Sequence, residues 1–168
     1  MIAYCRNYLV GILKNTVQIP PTAVFTKAED ASRYKGLIFA LVSPERERLQ
    51  KDGTRVAKED DLENNQRRYR YQLYKSTLPV VVTIVAKDLD QAETYRQIFI
   101  KGLGYSFKDP DGNAIKIEAT GCLTIEEESI QNPREGFEIT IQFSGGIYQD
   151  QIKTLVPTDI DPEPEIKR

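Results

Sequence analysis

The chain predicts an α+β fold: a mixed, mostly antiparallel sheet packed against two main helices, with a long protruding charged hairpin or loop. Three observations carry this expectation. Apolar residues recur at helical spacing near the start and again after Asp88, whereas apolar and polar residues alternate in 67–75, 115–119 and 137–143. Between these, residues 78–86 form a continuous apolar run rich in β-branched side chains, the pattern of a central strand covered on both faces.

The first element follows from Ile2, Cys5, Leu9, Ile12 and Leu13, which share one helical face and predict an amphipathic helix over 2–14. Pro20 and Pro21 then impose extended backbone, because proline lacks an N–H donor and restrains its predecessor. Thr26 and Glu29 have capping-box spacing, so a short helix is expected over 27–34, stopped by Gly36. Residues 37–42 are an apolar run bounded by Gly36 and Pro44 and read as a buried strand.

From Glu45 to Gln66 charges of both signs crowd in, and Asp52-Gly53 supplies a turn signal. This is the protruding arm, residues 44–66. The alternation of 67–75 makes the next strand, with Tyr69, Tyr71 and Leu73 on one face. After the apolar run, Asp88 or Asp90 can cap a helix that buries Ala92, Tyr95, Ile98 and Phe99 and stops at Gly102 or Gly104. Asp109-Pro110-Asp111-Gly112 is a turn by composition. Ile115, Ile117 and Ala119 then alternate, Gly121 suggests a bulge, and the strand continues through Cys122 to Ile125. A loop with Asn132-Pro133 leads to the closing strand of Phe137, Ile139, Ile141 and Phe143, which ends at Ser144.

A chain of 168 residues has room for one well-buried core. The expected organisation is therefore one domain over 1–156 with an extended, proline- and acid-rich tail over 157–168. The net charge of −2 provides no global positive field, so any attraction to nucleic acid or anionic lipid has to be local. No stretch approaches the length of a membrane span, and residues 1–14 do not read as a secretory leader. Cys5 and Cys122 fall in a helix and a strand pattern and read as buried free thiols of a reducing compartment.

With no histidine, the chain lacks the commonest general base and metal ligand, which argues against an enzyme. Asp109, Asp111 and Asn113 superficially match a calcium loop, but the glycine is misplaced and Thr120 stands where a bidentate glutamate is required. Gly102-Leu103-Gly104 follows a helix, so it cannot cradle a phosphate at a helix start. Ser144 lacks the leading glycine of a nucleophile elbow, and Glu126, Glu127 and Glu128 alternate between the faces of a strand end. No catalytic, cofactor or metal site is expected.

One cluster stands out. Arg67, Arg68, Arg70 and Lys75 interleave with Tyr69, Tyr71 and Tyr74, a pattern able to bind phosphates and stack bases of a single-stranded nucleic acid. Yet residues 44–75 hold nine basic and seven acidic residues, a balance that suits protein contact better than a phosphate track. The arm is therefore expected to touch a neighbouring subunit through Arg46, Arg48, Lys51, Arg55, Lys58, Arg67, Arg68 and Arg70.

The run 48–87, RLQKDGTRVAKEDDLENNQRRYRYQLYKSTLPVVVTIVAK, resembles tail-assembly proteins of tailed bacteriophages and phage-derived particles, and among them the tail terminator family. That family orders its elements as an N-terminal helix, an extended strand pair with a protruding loop, then strand, helix and two closing strands; residues 2–150 follow this order. The resemblance implies a homo-oligomeric, hexameric ring at the head-proximal end of the tail tube, which stops tube polymerisation. Implied partners are further copies of itself, the tube protein, a neck or connector protein and a sheath protein, with DNA only passing through the ring lumen. The implied location is the virion tail, assembled in the bacterial cytoplasm, and no membrane or cofactor is involved. A neck or head–tail connector role is the alternative within the same class. No residue-level site carries over, because the family's function lies in subunit surfaces; the tail 157–168 and the length of the arm depart from the pattern.

Overall fold

The computed structural model describes residues 1–127 and 134–155, and its contacts group into two compact units. The first comprises Met1–Leu49 with Ser76–Gly145; the second contains Gln50–Lys75 and the chain from Gly146 onward. The expected loop around Asn132, the side chains of Glu126 to Glu128 and the tail 157–168 lie outside the described residues.

The first unit is an α+β core. Helix α1, Ile2–Asn15, turns Cys5, Leu9, Ile12 and Leu13 inward, as their spacing predicts. A single 3₁₀ turn, Pro21–Ala23, delivers the chain to β1, Val24–Phe25, which pairs in parallel with β2, Phe39–Pro44. Between them α2 spans only Ala28–Ser32. The capping box expected from Thr26 and Glu29 does not form, because Lys27 occupies the cap and contributes no side-chain bond. Thr26 stands one residue too early for its hydroxyl to reach the N3 amide.

Strand β4, Gln66–Ala86, is central: the sheet order is β1-β2-β4-β7-β6-β5, with β3 pairing β4. Pro79 is tolerated within β4 because the chain opposite it, between β2 and β3, is irregular there; its carbonyl accepts from the Glu45 N–H at 2.9 Å. Leu78, Val80, Val82, Ile84 and Ala86 are buried, whereas Pro79, Val81 and Thr83 are half-buried. The expectation of complete cover on both faces is therefore corrected. Helices α1 and α3 cover one face of the strand, and the opposite face is closed mainly at Val85, which pairs with Phe39 inside a cluster of Phe25, Tyr34 and Phe39.

Helix α3, Leu89–Gly102, starts where Asp88 accepts from the Gln91 N–H at 2.8 Å, the predicted cap. It buries Ala92 and Phe99. It ends at Gly102, as expected, but without a left-handed glycine cap: Leu103 leaves in extended conformation. A Cβ on Gly102 would lie 3.1 Å from Thr16 and 3.2 Å from Ile12, so this glycine lets α3 approach α1.

The remaining strands are β5, Ser106–Lys108; β6, Ala114–Glu127; and β7, Arg134–Thr154. The predicted turn joins β5 to β6, with Asp109 Oδ1 accepting from the Asp111 and Asn113 N–H groups. The predicted bulge appears as a register shift between Ala119 and Gly121. Sequence reading missed β5, whose three residues are too few to show a period, and it ended β7 ten residues early. The Gly145-Gly146 pair reads as a stop but is extended backbone inside the strand. Cys5 is buried, but Cys122 is exposed on β6, contrary to expectation; its alternation partner Leu123 is 68% exposed as well, so neither side of β6 is covered there. No helix of the described residues is long and apolar enough to cross a membrane.

Candidate assembly surface

The second unit is built on a hairpin. Strand β3, Arg48–Asp61, turns through residues 62–65 into β4. The expected reversal at Asp52-Gly53 is thus displaced. Gly53 has φ +94°, but it lies within β3, where Asp52 accepts from the Thr54 hydroxyl and pairs with Lys75 at 3.4 Å. The true turn is held by Asp61, whose carboxylate accepts from the Asn64 N–H at 3.1 Å and its side-chain amide at 2.7 Å. Asn65 takes φ +50°, a conformation asparagine tolerates better than most residues. Asn64-Asn65 was therefore the readable turn signal, outweighed by the stronger Asp-Gly pair.

The hairpin tip is tied to the end of β7. The Leu155 N–H donates to the Asn65 carbonyl at 2.9 Å, and the Asn65 side chain donates back to the Leu155 carbonyl at 3.3 Å. Arg67, 9% exposed, forms a two-point ion pair with Asp60 at 2.5 and 2.9 Å. Arg70 does the same with Asp150 at 2.7 and 3.1 Å. Tyr69 is flanked by two cations, Arg55 at 5.5 Å and Lys153 at 5.6 Å from its ring centroid. These donors hold the Asp60 and Asp150 carboxyls below the usual carboxylate range, with Arg67 and Arg70 as the leading causes.

The eight predicted contact residues therefore separate by role. Arg67 is engaged within the hairpin, Arg70 is paired to Asp150 on β7, and Arg55 leans on Tyr69. Arg46 and Arg48 line a surface hollow of the first unit with Glu45, Glu47, Leu49 and Pro79. Arg68 lines a second hollow, at the hairpin tip, with Glu59, Asp60, Asp61, Leu62, Glu63 and Ile152. Lys51 and Lys58 are exposed on β3. Sequence reading missed Asp150, Ile152 and Lys153, because β7 was ended before them.

The surface of the arm combines charge with unprotected apolar groups. Every residue from 53 to 66 is exposed, and Leu49, Val56 and Leu62 are 54, 46 and 77% exposed. Such side chains are ordinary singly, but placed along β3 and at the turn that follows it they suit burial against another chain. No family model matches this chain, and no curated protein matches it.

Proposed function

We propose that this chain is a structural protein that assembles with copies of itself into a ring at the head-proximal end of a phage-type tail tube, where it ends tube polymerisation and joins tail to neck. The observation that carries the reading is the β3–β4 hairpin: a long exposed strand, β3, braced by an ion pair to β4, which is itself pinned to β7, with Leu49, Val56 and Leu62 open to solvent. Bracing of an exposed strand is what a docking arm requires, since a stiff element loses less conformational entropy on binding than a loose loop. The element order, from α1 through the arm, β4, α3, β6 and β7, supports the same reading.

The alternative of a nucleic-acid strand gains less support. Arg67, Arg70 and Lys75, three of its four expected cations, already face carboxylates, and Tyr69 carries cations on its ring instead of an open stacking face. The test is sedimentation velocity of the purified protein, alone and mixed with tail tubes. Ring-sized species and co-sedimentation with tube ends are expected; a strict monomer that leaves tubes unbound would remove the proposal.

A further inference from the structure

Two segments of the first unit contain no acidic residue: 1–28, which includes α1, and 96–108, which includes the end of α3 and β5. The fold sets them side by side. Tyr8 stacks on Phe107 at 4.8 Å between centroids and accepts from the Gly104 N–H at 2.9 Å, and Gly102 lies against Ile12 and Thr16. Around this seam stand Lys14, Lys101 and Lys108, with Tyr4 46% and Tyr105 95% exposed. Tyr105 is thus exposed beside lysines of segments without carboxylates, and Asp109, the next acid after Lys108, is bound to the amides of its own turn, which leaves this surface cationic and apolar together.

The second unit carries the complement. At the hairpin tip Glu59, Asp61 and Glu63 flank Leu62, and Ile152, 58% exposed, lines the same hollow. Arg67 neutralises Asp60, but the remaining acids outnumber Arg68.

We infer that the acidic, leucine-tipped end of the hairpin docks on the lysine- and tyrosine-bearing seam of α1, α3 and β5 in a second copy of this chain. The occupant is argued from charge complementarity between two different surfaces of one sequence. Such a contact is heterologous, and repeated around an axis it closes a ring. The inference deepens the proposed function and rests on it.

The test is charge exchange in the full chain, read by sedimentation at several protein and salt concentrations. Lys101→Glu with Lys108→Glu, or Glu59→Lys with Glu63→Lys, is expected to weaken self-association about tenfold or more, and the four substitutions together to restore much of it. All positions are exposed, and unchanged circular dichroism and melting confirm that the variants fold. If the parent assembles and neither pair weakens it, the docking pair is wrong while the ring reading stands. A parent that stays monomeric alone and with tail tubes overturns both. If the seam variant assembles normally but loses binding to phosphatidylserine vesicles or an oligonucleotide, the seam serves another partner and the inference falls.

Discussion

Gly136 sits where β7 passes β4, and a Cβ there would lie 2.3 Å from the Ile84 carbonyl oxygen. That neighbour is backbone and cannot swing aside, so Gly136→Ala should cost about 1–3 kcal/mol in urea unfolding. The cysteines give a second residue-scale test. Burial pushes the Cys5 thiol from its ordinary 9.0 up to about 12, so the folded chain keeps a proton that the unfolded chain releases above pH 9. Its contribution is therefore complete below pH 9 and declines as pH rises towards 12, and replacing Cys5 by alanine should flatten that decline. In native protein a thiol reagent should label exposed Cys122 and spare Cys5, both reacting after denaturation. At this scale the sequence was readable where one residue acts on its own neighbours, as at the Asp88 cap and the Gly121 bulge. It misled where tertiary cover decides, as at Cys122, or where an offset of one residue removes a bond, as at Thr26.

Among elements, α1, α3 and β6 follow from periodicity, and the apolar half of β4 from its continuous β-branched run. Val82 is fully buried, and Val82→Ala should cost about 2–4 kcal/mol, measured by chemical denaturation. The hairpin was legible as a charged arm but not in its register. Two turn signals competed, and the choice went to the reversal that lets Asp52 meet Lys75 and Asp60 meet Arg67. The Gly145-Gly146 pair likewise concealed the far half of β7, which supplies Asp150 to Arg70. Since Asp60, Asp61 and Asp150 are held below the ordinary carboxylate range, their contribution to the arm is present above that range and is lost as pH falls through their lowered values. The near-ultraviolet signal of Tyr69 and Tyr71 should therefore loosen on acidification before the core unfolds. Arg67→Met, which leaves Asp60 unpaired, should bring that loosening to neutral pH and speed tryptic cleavage at Arg68.

For the whole molecule, the expectation of a contact protein rests on composition: no histidine, near-neutral charge and a polar arm. The two surfaces proposed to meet were not legible, because the seam of α1, α3 and β5 and the hairpin tip are brought out by folding of segments far apart in sequence. Assembly through the arm is the central claim, and the sedimenting mass of the full chain tests it most directly, compared with a variant in which residues 55–72 are replaced by an Asn-Gly turn. The account predicts a ring-sized species for the full chain and a folded monomer for the shortened one. Equal masses for the two, whether both rings or both monomers, would contradict it.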